Sequence, residues 1–131
     1  MKRRTFIIAA LAATAAVTVP VVYYNRSRDN LPKDPLARPE ILAELTDEKT
    51  LQEIGIRYRK LFPSENTKER LKELLITDQN GRQTAPTGDL ALSEWLNEKI
   101  RHDFSTFSTA TVNGWVISIT EARQCALLSL L

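Results

Sequence analysis

One cysteine, one histidine and four glycines are all that 131 residues hold of the types most often recruited for redox, metal or phosphate chemistry. With Cys125 alone there is no internal disulfide, no site built on several thiolates, no C-x-x-C-H for covalent haem and no ligand set for an iron–sulfur cluster. Flanked by Gln124 and Ala126 on an apolar stretch, Cys125 reads as core filler rather than as an activated nucleophile. His102 sits between Arg101 and Asp103 and reads as a surface residue, so a histidine-centred site has little to stand on. Gly55, Gly81, Gly88 and Gly114 are too scattered for a phosphate loop or a dinucleotide fingerprint. Carboxylate pairs such as Asp47 with Glu48, or Glu94 with Glu98, lack the apolar flanks that would raise a pKa, and read as solvated helix faces. The expectation is a chain that is not an enzyme and holds no cofactor or metal.

Charge of one sign is also missing from the body. The net charge is +2, but Lys2, Arg3, Arg4, Arg26 and Arg28 against Asp29 place +4 in the first thirty residues. Residues 31–131 are left with 13 Lys+Arg and 15 Asp+Glu, a net −2 with the signs interspersed. Such a body lacks the basic stripe that neutralising a nucleic-acid backbone requires, so nucleic acid is not an expected partner.

What is present begins at the N-terminus. Phe6 to Tyr24 runs 19 residues without a charge, which as a helix is about 28 Å against a hydrocarbon core of about 30 Å. Its interior is mostly Ala and Thr, and Pro20 disturbs its far end, so residues 1–24 have the profile of a signal or a marginal membrane anchor. Lys2-Arg3-Arg4-Thr5-Phe6-Ile7-Ile8 resembles the twin-arginine (Tat) export signal, in which paired arginines, a spacer, a Phe and an apolar residue precede a mildly hydrophobic run. The resemblance makes Arg3, Arg4 and Phe6 the export signal. Ala13-Thr14-Ala15 offers a cleavage site, whereas an uncut segment would leave Tyr23 and Tyr24 at the outer interface. Both alternatives put the body on the periplasmic side of the bacterial inner membrane, anchored through residues 6–24 or released.

The body reads as a small, mainly α domain of four to five helices with one short β-hairpin. Residues 25–39, with three prolines and several charges, read as a linker, and 40–131 as the domain. Pro39 opens a helix with Ile41, Leu42 and Leu45 at helical spacing, and Thr46 or Asp47 caps a second. Leu51, Ile54, Tyr58, Leu61 and Phe62 give that second helix an apolar face until Pro63 stops it. Ser64 or Asn66 caps a third, carrying Leu71, Leu74 and Leu75. Residues 77–88 are a turn-rich loop. A fourth helix over 89–104 presents Leu92, Trp95, Leu96, Lys99 or Ile100, and Phe104 inward, with Glu94, Asn97, Glu98 and Arg101 wet. Asn113-Gly114 between Thr109–Val112 and Trp115–Ile117 is the signature of a two-residue hairpin. Ser118-Ile119-Thr120-Glu121 is a capping box that starts a final helix running from about 119 to the last residue.

Trp115 beside the tight turn, and Leu127, Leu128 and Leu131 on a terminal helix apolar on more than one face, are the expected partner-binding residues. By its signal, size and helix-rich character the chain resembles the small Tat-signal subunits that accompany periplasmic dehydrogenases. That resemblance implies a noncatalytic adaptor bound to a larger, cofactor-bearing oxidoreductase subunit. The alternative is a small-molecule or pigment-binding helical module with Trp95, Phe104, Phe107 and Trp115 around a pocket.

Overall fold

A computed structural model describes residues 32–131. Arg3, Arg4, Phe6 and the apolar run 6–24 lie outside the described residues. Among those described, no helix is long and apolar enough to cross a membrane. The described chain is mainly helical: α1 (Glu40–Ala43), α2 (Glu48–Leu61), α3 (Lys68–Leu75), α4 (Asp89–Ser105), a hairpin of β1 (Thr109–Val112) and β2 (Trp115–Ser118), and α5 (Ile119–Leu128).

Local chemistry accounts for most of these boundaries. Asp47, not Thr46, caps α2, its carboxylate accepting the Thr50 amide at 2.9 Å. The cap of α3 is Thr67 rather than Ser64 or Asn66. Pro63–Glu65 is drawn into a 3-10 turn that consumes Ser64, and the Asn66 side chain accepts from Arg59 Nη1 at 2.9 Å instead. At the hairpin, Asn113 (φ 51°) and Gly114 (φ 85°) take the two left-handed positions that a tight turn between twisted strands demands. Strand register pairs Val112 with Trp115 and Ala110 with Ile117. The capping box is complete: Ser118 Oγ accepts the Glu121 amide at 2.9 Å, and Glu121 Oε1 accepts the Ser118 amide at 3.1 Å.

The N-terminal side departs from the sequence expectation in two ways. Helix α1 is a single turn that buries Leu42 and Ala43 but leaves Ile41 and Leu45 exposed. The proline-rich stretch ends inside the packed body: Asp34 caps a 3-10 turn, Pro35–Ala37, whose residues are buried together with Pro39. The Gln124 side-chain amide holds it from α5, donating to the carbonyls of Pro35 at 3.0 Å and Arg38 at 3.3 Å.

Helix α5 is the axis of the fold. It touches α2, α3, α4, both strands and the 35–37 turn, and eight of its ten residues are buried. Three of the eight, Thr120, Glu121 and Gln124, are polar and make hydrogen bonds inside the fold, so the enclosure is lined by both apolar and hydrogen-bonding groups. Tyr58, Leu51 and Ile54 from α2, Leu71 and Leu75 from α3, and Leu96 from α4 form the enclosure. The small residues Ala122, Cys125 and Ala126 let α2 approach closely, and Gly55 is the point of closest approach: a Cβ there would meet the Cys125 carbonyl oxygen at 2.0 Å. The helix stops at Ser129, short of the predicted end, where the Ser129 hydroxyl turns back to the Ala126 carbonyl at 2.7 Å and accepts from Arg59 Nε at 3.0 Å.

The end of α4 has no glycine to close it. The Ser108 amide donates to the Asp103 carbonyl at 2.8 Å and the Phe107 amide to the Phe104 carbonyl at 3.3 Å, which is a Schellman arrangement with Phe107 (φ 59°) in the left-handed position usually filled by glycine. Phe107 is 88% exposed, so no packing within the described residues offsets the backbone cost. Phe107→Gly is expected to raise the stability of the folded chain by about 1 kcal/mol, read as an upward shift of the urea midpoint at unchanged slope. Phe107→Ala, still carrying a Cβ, is expected to leave that midpoint nearly unmoved.

Candidate functional site

Helix α4 places Lys99, His102, Asp103 and Thr106 at helical spacing, so all four share the face that looks toward the loop after α3 and the start of α5. With Thr77 and Asp78 from that loop, Ser108 from the Schellman turn and Arg123 from α5, they line an open cleft of about 490 Å³. Lys99 is part-buried, and its ammonium donates to the terminal carbonyls of α3, Leu74 at 2.9 Å and Leu75 at 3.0 Å. It therefore caps a helix other than its own. The Trp95 ring lies beside it, 5.4 Å from Nζ to the ring centre. Burial, reinforced by the Arg123 charge, lowers the Lys99 pKa from 10.5 to about 8, against the opposing pull of Asp103 and Asp78.

The carboxylates of the cleft are engaged by their own chain. Asp78 Oδ1 accepts the amides of Asn80 (2.8 Å) and Arg82 (2.9 Å), and Oδ2 accepts the Thr84 hydroxyl at 2.9 Å, so this side chain organises the loop. Those bonds, the Arg82 amide first, hold its carboxyl below the usual range. Asp103 Oδ2 accepts the amide of Thr120 at 2.9 Å and its hydroxyl at 2.7 Å, which ties α4 to the first turn of α5. Nearby, the neutral form of Glu121 is favoured, chiefly by burial.

Arg123 reaches away from the cleft to a second cluster. Its Nε and Nη2 donate to Glu65 Oε1 (2.8 Å) and Oε2 (3.2 Å), and Tyr58 donates its hydroxyl to Glu65 Oε1 at 2.8 Å. Burial alone would raise the Glu65 pKa, but the bonds from Arg123 and Tyr58 outweigh it and leave the carboxyl below its ordinary value. The same burial, with the Glu65 bond, pushes the Tyr58 phenol well above its ordinary range. This triad joins α2, the 63–65 turn and α5, and it is structural in character.

No protein-family model matches the chain, and neither a curated protein nor a solved structure does.

The residues singled out from sequence are divided by the structure. Leu127 is fully buried and Leu128 is 3% exposed, so both are consumed by the chain's own core and are not on the surface offered to a partner. The apolar residues of their helix are covered by α2, α3 and α4. Trp115 is half-buried against the core at the edge of the hairpin, and Leu131 is exposed. Cys125 has no solvent access, and burial followed by the Glu121 charge drives its thiol pKa up, so it is no nucleophile in the folded chain. His102 is exposed on the rim of the cleft. Phe104, expected to point inward, is 45% exposed, and Phe107 lies further out. Trp95 and Trp115 pack on the core, while these two face solvent. Among the described residues, no group of three or more His, Cys, Asp and Glu side chains is placed to hold a metal ion.

Sequence reasoning missed Lys99 as a tie between helices, and Phe107 as an exposed ring. The second had a local signal: a helix ending at Ser105 and followed by Thr106-Phe107-Ser108 contains no glycine, so a non-glycine residue has to take any left-handed cap.

Proposed function

We propose that the chain is a noncatalytic small subunit, exported folded by the twin-arginine route to the periplasmic side of the bacterial inner membrane, where it binds a larger oxidoreductase subunit. Arg3, Arg4 and Phe6 support the route, and residues 6–24 supply the anchor or the leader. The observation that carries the binding role is Phe107, a large apolar ring held in solvent by the left-handed position that closes α4, with no packing return among the described residues. A strained position that leaves a large apolar ring unpacked is of the kind kept for an external contact. Phe104, one helical turn earlier and also exposed, widens the apolar surface to an aromatic pair of the kind enriched at interface centres. This knuckle takes the place of Leu127 and Leu128 as the contact surface, with Leu131 exposed and Trp115 half-buried against the core.

The test is native purification from membranes followed by identification of the companion subunit. A cofactor-bearing oxidoreductase subunit is expected to co-purify with the wild-type chain in fixed proportion, and its recovery is expected to fall at least tenfold with Phe107→Ala, a variant that keeps the fold. A stable lone monomer whose removal leaves neighbouring oxidoreductase activity unchanged would overturn the reading. Undiminished recovery with Phe107→Ala would overturn the assignment of the contact surface.

A further inference from the structure

We propose that the Asn113-Gly114 turn at the tip of the hairpin is a site of spontaneous covalent modification, where Asn113 loses its side-chain amide through a cyclic imide and becomes aspartate or isoaspartate.

The step needs only water and atoms already in the turn. The Gly114 main-chain nitrogen gives up its proton to solvent hydroxide and attacks Asn113 Cγ, forming an N–Cγ bond. The Cγ–Nδ2 bond breaks, and the leaving nitrogen takes a proton from water to depart as ammonia. Water then opens the imide. Entry at Cγ restores the ordinary main chain with aspartate at position 113, whereas entry at the main-chain carbonyl carbon leaves the chain running through Cβ and Cγ as isoaspartate. Overall one water enters and one ammonia leaves, with no change of oxidation state. Glycine suits the nucleophile because it has no Cβ to crowd the attacking nitrogen.

The chain holds a second such pair, Asn80-Gly81, and the structure separates the two. Both pairs are exposed, and nothing stands within 4 Å of where a Cβ would lie on either glycine. Water reaches both. At the second pair the nucleophile is held: the Gly81 amide donates to the Asp78 carbonyl at 3.1 Å, and the Asp78 amide returns to the Arg82 carbonyl at 2.7 Å. Asp78 Oδ1 accepts the Asn80 and Arg82 amides as well, at 2.8 and 2.9 Å. An amide proton so engaged is harder to remove, and a peptide clamped on both sides resists the rotation that brings its nitrogen onto Cγ. The hairpin turn lacks this clamp. Its ladder closes at Val112 with Trp115, outside the pair, and among the described residues no hydrogen bond engages the Gly114 amide or the Asn113 side chain.

The two products act differently on the fold. Aspartate tolerates the left-handed position at φ 51° and adds a negative charge. Isoaspartate lengthens the main chain inside a two-residue loop whose length sets the strand register, so the Val112 and Trp115 pair is displaced.

The test incubates the purified full chain, in mild detergent, in warm and mildly alkaline heavy-oxygen water. Peptides spanning each pair are followed by mass spectrometry after digestion in acid. Asn113 is expected to convert about tenfold faster than Asn80, the rate equivalent of releasing one hydrogen bond, and the label is expected in both aspartate and isoaspartate. In urea the two sites are expected to convert at equal rates. Asp78→Ala, which removes the carboxylate that gathers the second loop, is expected to bring the Asn80 rate toward that of Asn113. Equal rates in the folded chain, an Asn113 that stays intact, or aspartate without isoaspartate, the mark of direct hydrolysis, would each overturn the proposal. A rate ratio that persists in urea, or an Asn80 unmoved by Asp78→Ala, would overturn the structural cause assigned to it.

Discussion

Gly55→Ala is expected to be the most damaging single-methyl change in the chain. Within an ordinary helix the substitution is favourable by about 1 kcal/mol, because alanine has less backbone freedom to lose. Here the new Cβ would stand 2.0 Å from the Cys125 carbonyl oxygen, 2.5 Å from its carbon and 2.9 Å from the Ala126 nitrogen. These are backbone atoms of the central helix and cannot swing aside as a side-chain tip can. Relief requires α2 and α5 to move apart, which opens gaps around Leu51, Ile54 and Tyr58 on one side and Ala122 and Cys125 on the other. Overpacking of this kind costs about 3 kcal/mol, so the helix-propensity gain is overturned and the net loss is about 2 kcal/mol or more. The measurement is the urea midpoint followed by tryptophan fluorescence. A variant as stable as the wild type would mean that α2 and α5 do not make this close approach.

The second large effect belongs to the triad of Tyr58, Glu65 and Arg123. Glu65→Leu leaves the guanidinium without its partner where the side chain is only 20% exposed, and deprives the Tyr58 hydroxyl of its acceptor. Breaking such a pair from one side is expected to cost about 3 kcal/mol, the lower end of the range for buried pairs because water still reaches both groups. Arg123→Met is expected to cost a similar amount. The double variant is expected to be more stable than the sum of the two losses by about 2 kcal/mol, since neither charge is then stranded.

The pH dependence follows in sign. Because the folded Glu65 pKa is lowered from 4.5, its contribution is complete above that value and disappears as pH falls through the folded one. Glu121 is raised from 4.5, so its contribution is complete below that value and is lost as pH rises through its folded pKa. Acid stability in the wild type is therefore a crossing of two opposed slopes. Glu65→Leu is expected to abolish the falling one, so that stability no longer drops below pH 4.5 for this reason.

How far each feature could be read from sequence tracks the distance over which its cause acts. The Ser118 to Glu121 box and the Asn113-Gly114 turn are decided by neighbours within three residues, and both stand where the sequence puts them. The Thr67 cap was one residue beyond the nearer expected position, because the Pro63 turn and the Arg59 bond to Asn66 reassign the competing groups. The apolar surplus of α5 was visible in Ala126-Leu127-Leu128, but periodicity carries no information on whether the cover is another chain or α2, α3 and α4 of the same one. The Glu65 and Arg123 pair joins residues 58 positions apart, and the Lys99 bonds to Leu74 and Leu75 span 25 and 24. No local pattern announces them.

The place of α5 in the order of the chain has a consequence for synthesis. The elements it covers, from the 35–37 turn through α2, α3, α4 and the hairpin, all emerge from the ribosome before it does. Until then the stripes of Leu51, Ile54 and Tyr58 and of Leu71 and Leu75 have no lid, and the Gln124 bonds to residues some ninety positions upstream cannot form. Folding thus completes late and over long sequence separations, a regime in which nascent chains need shelter from aggregation. Under the folded export proposed above, closure of this helix would act as a built-in sign that translation has passed it and that the cargo is fit to leave.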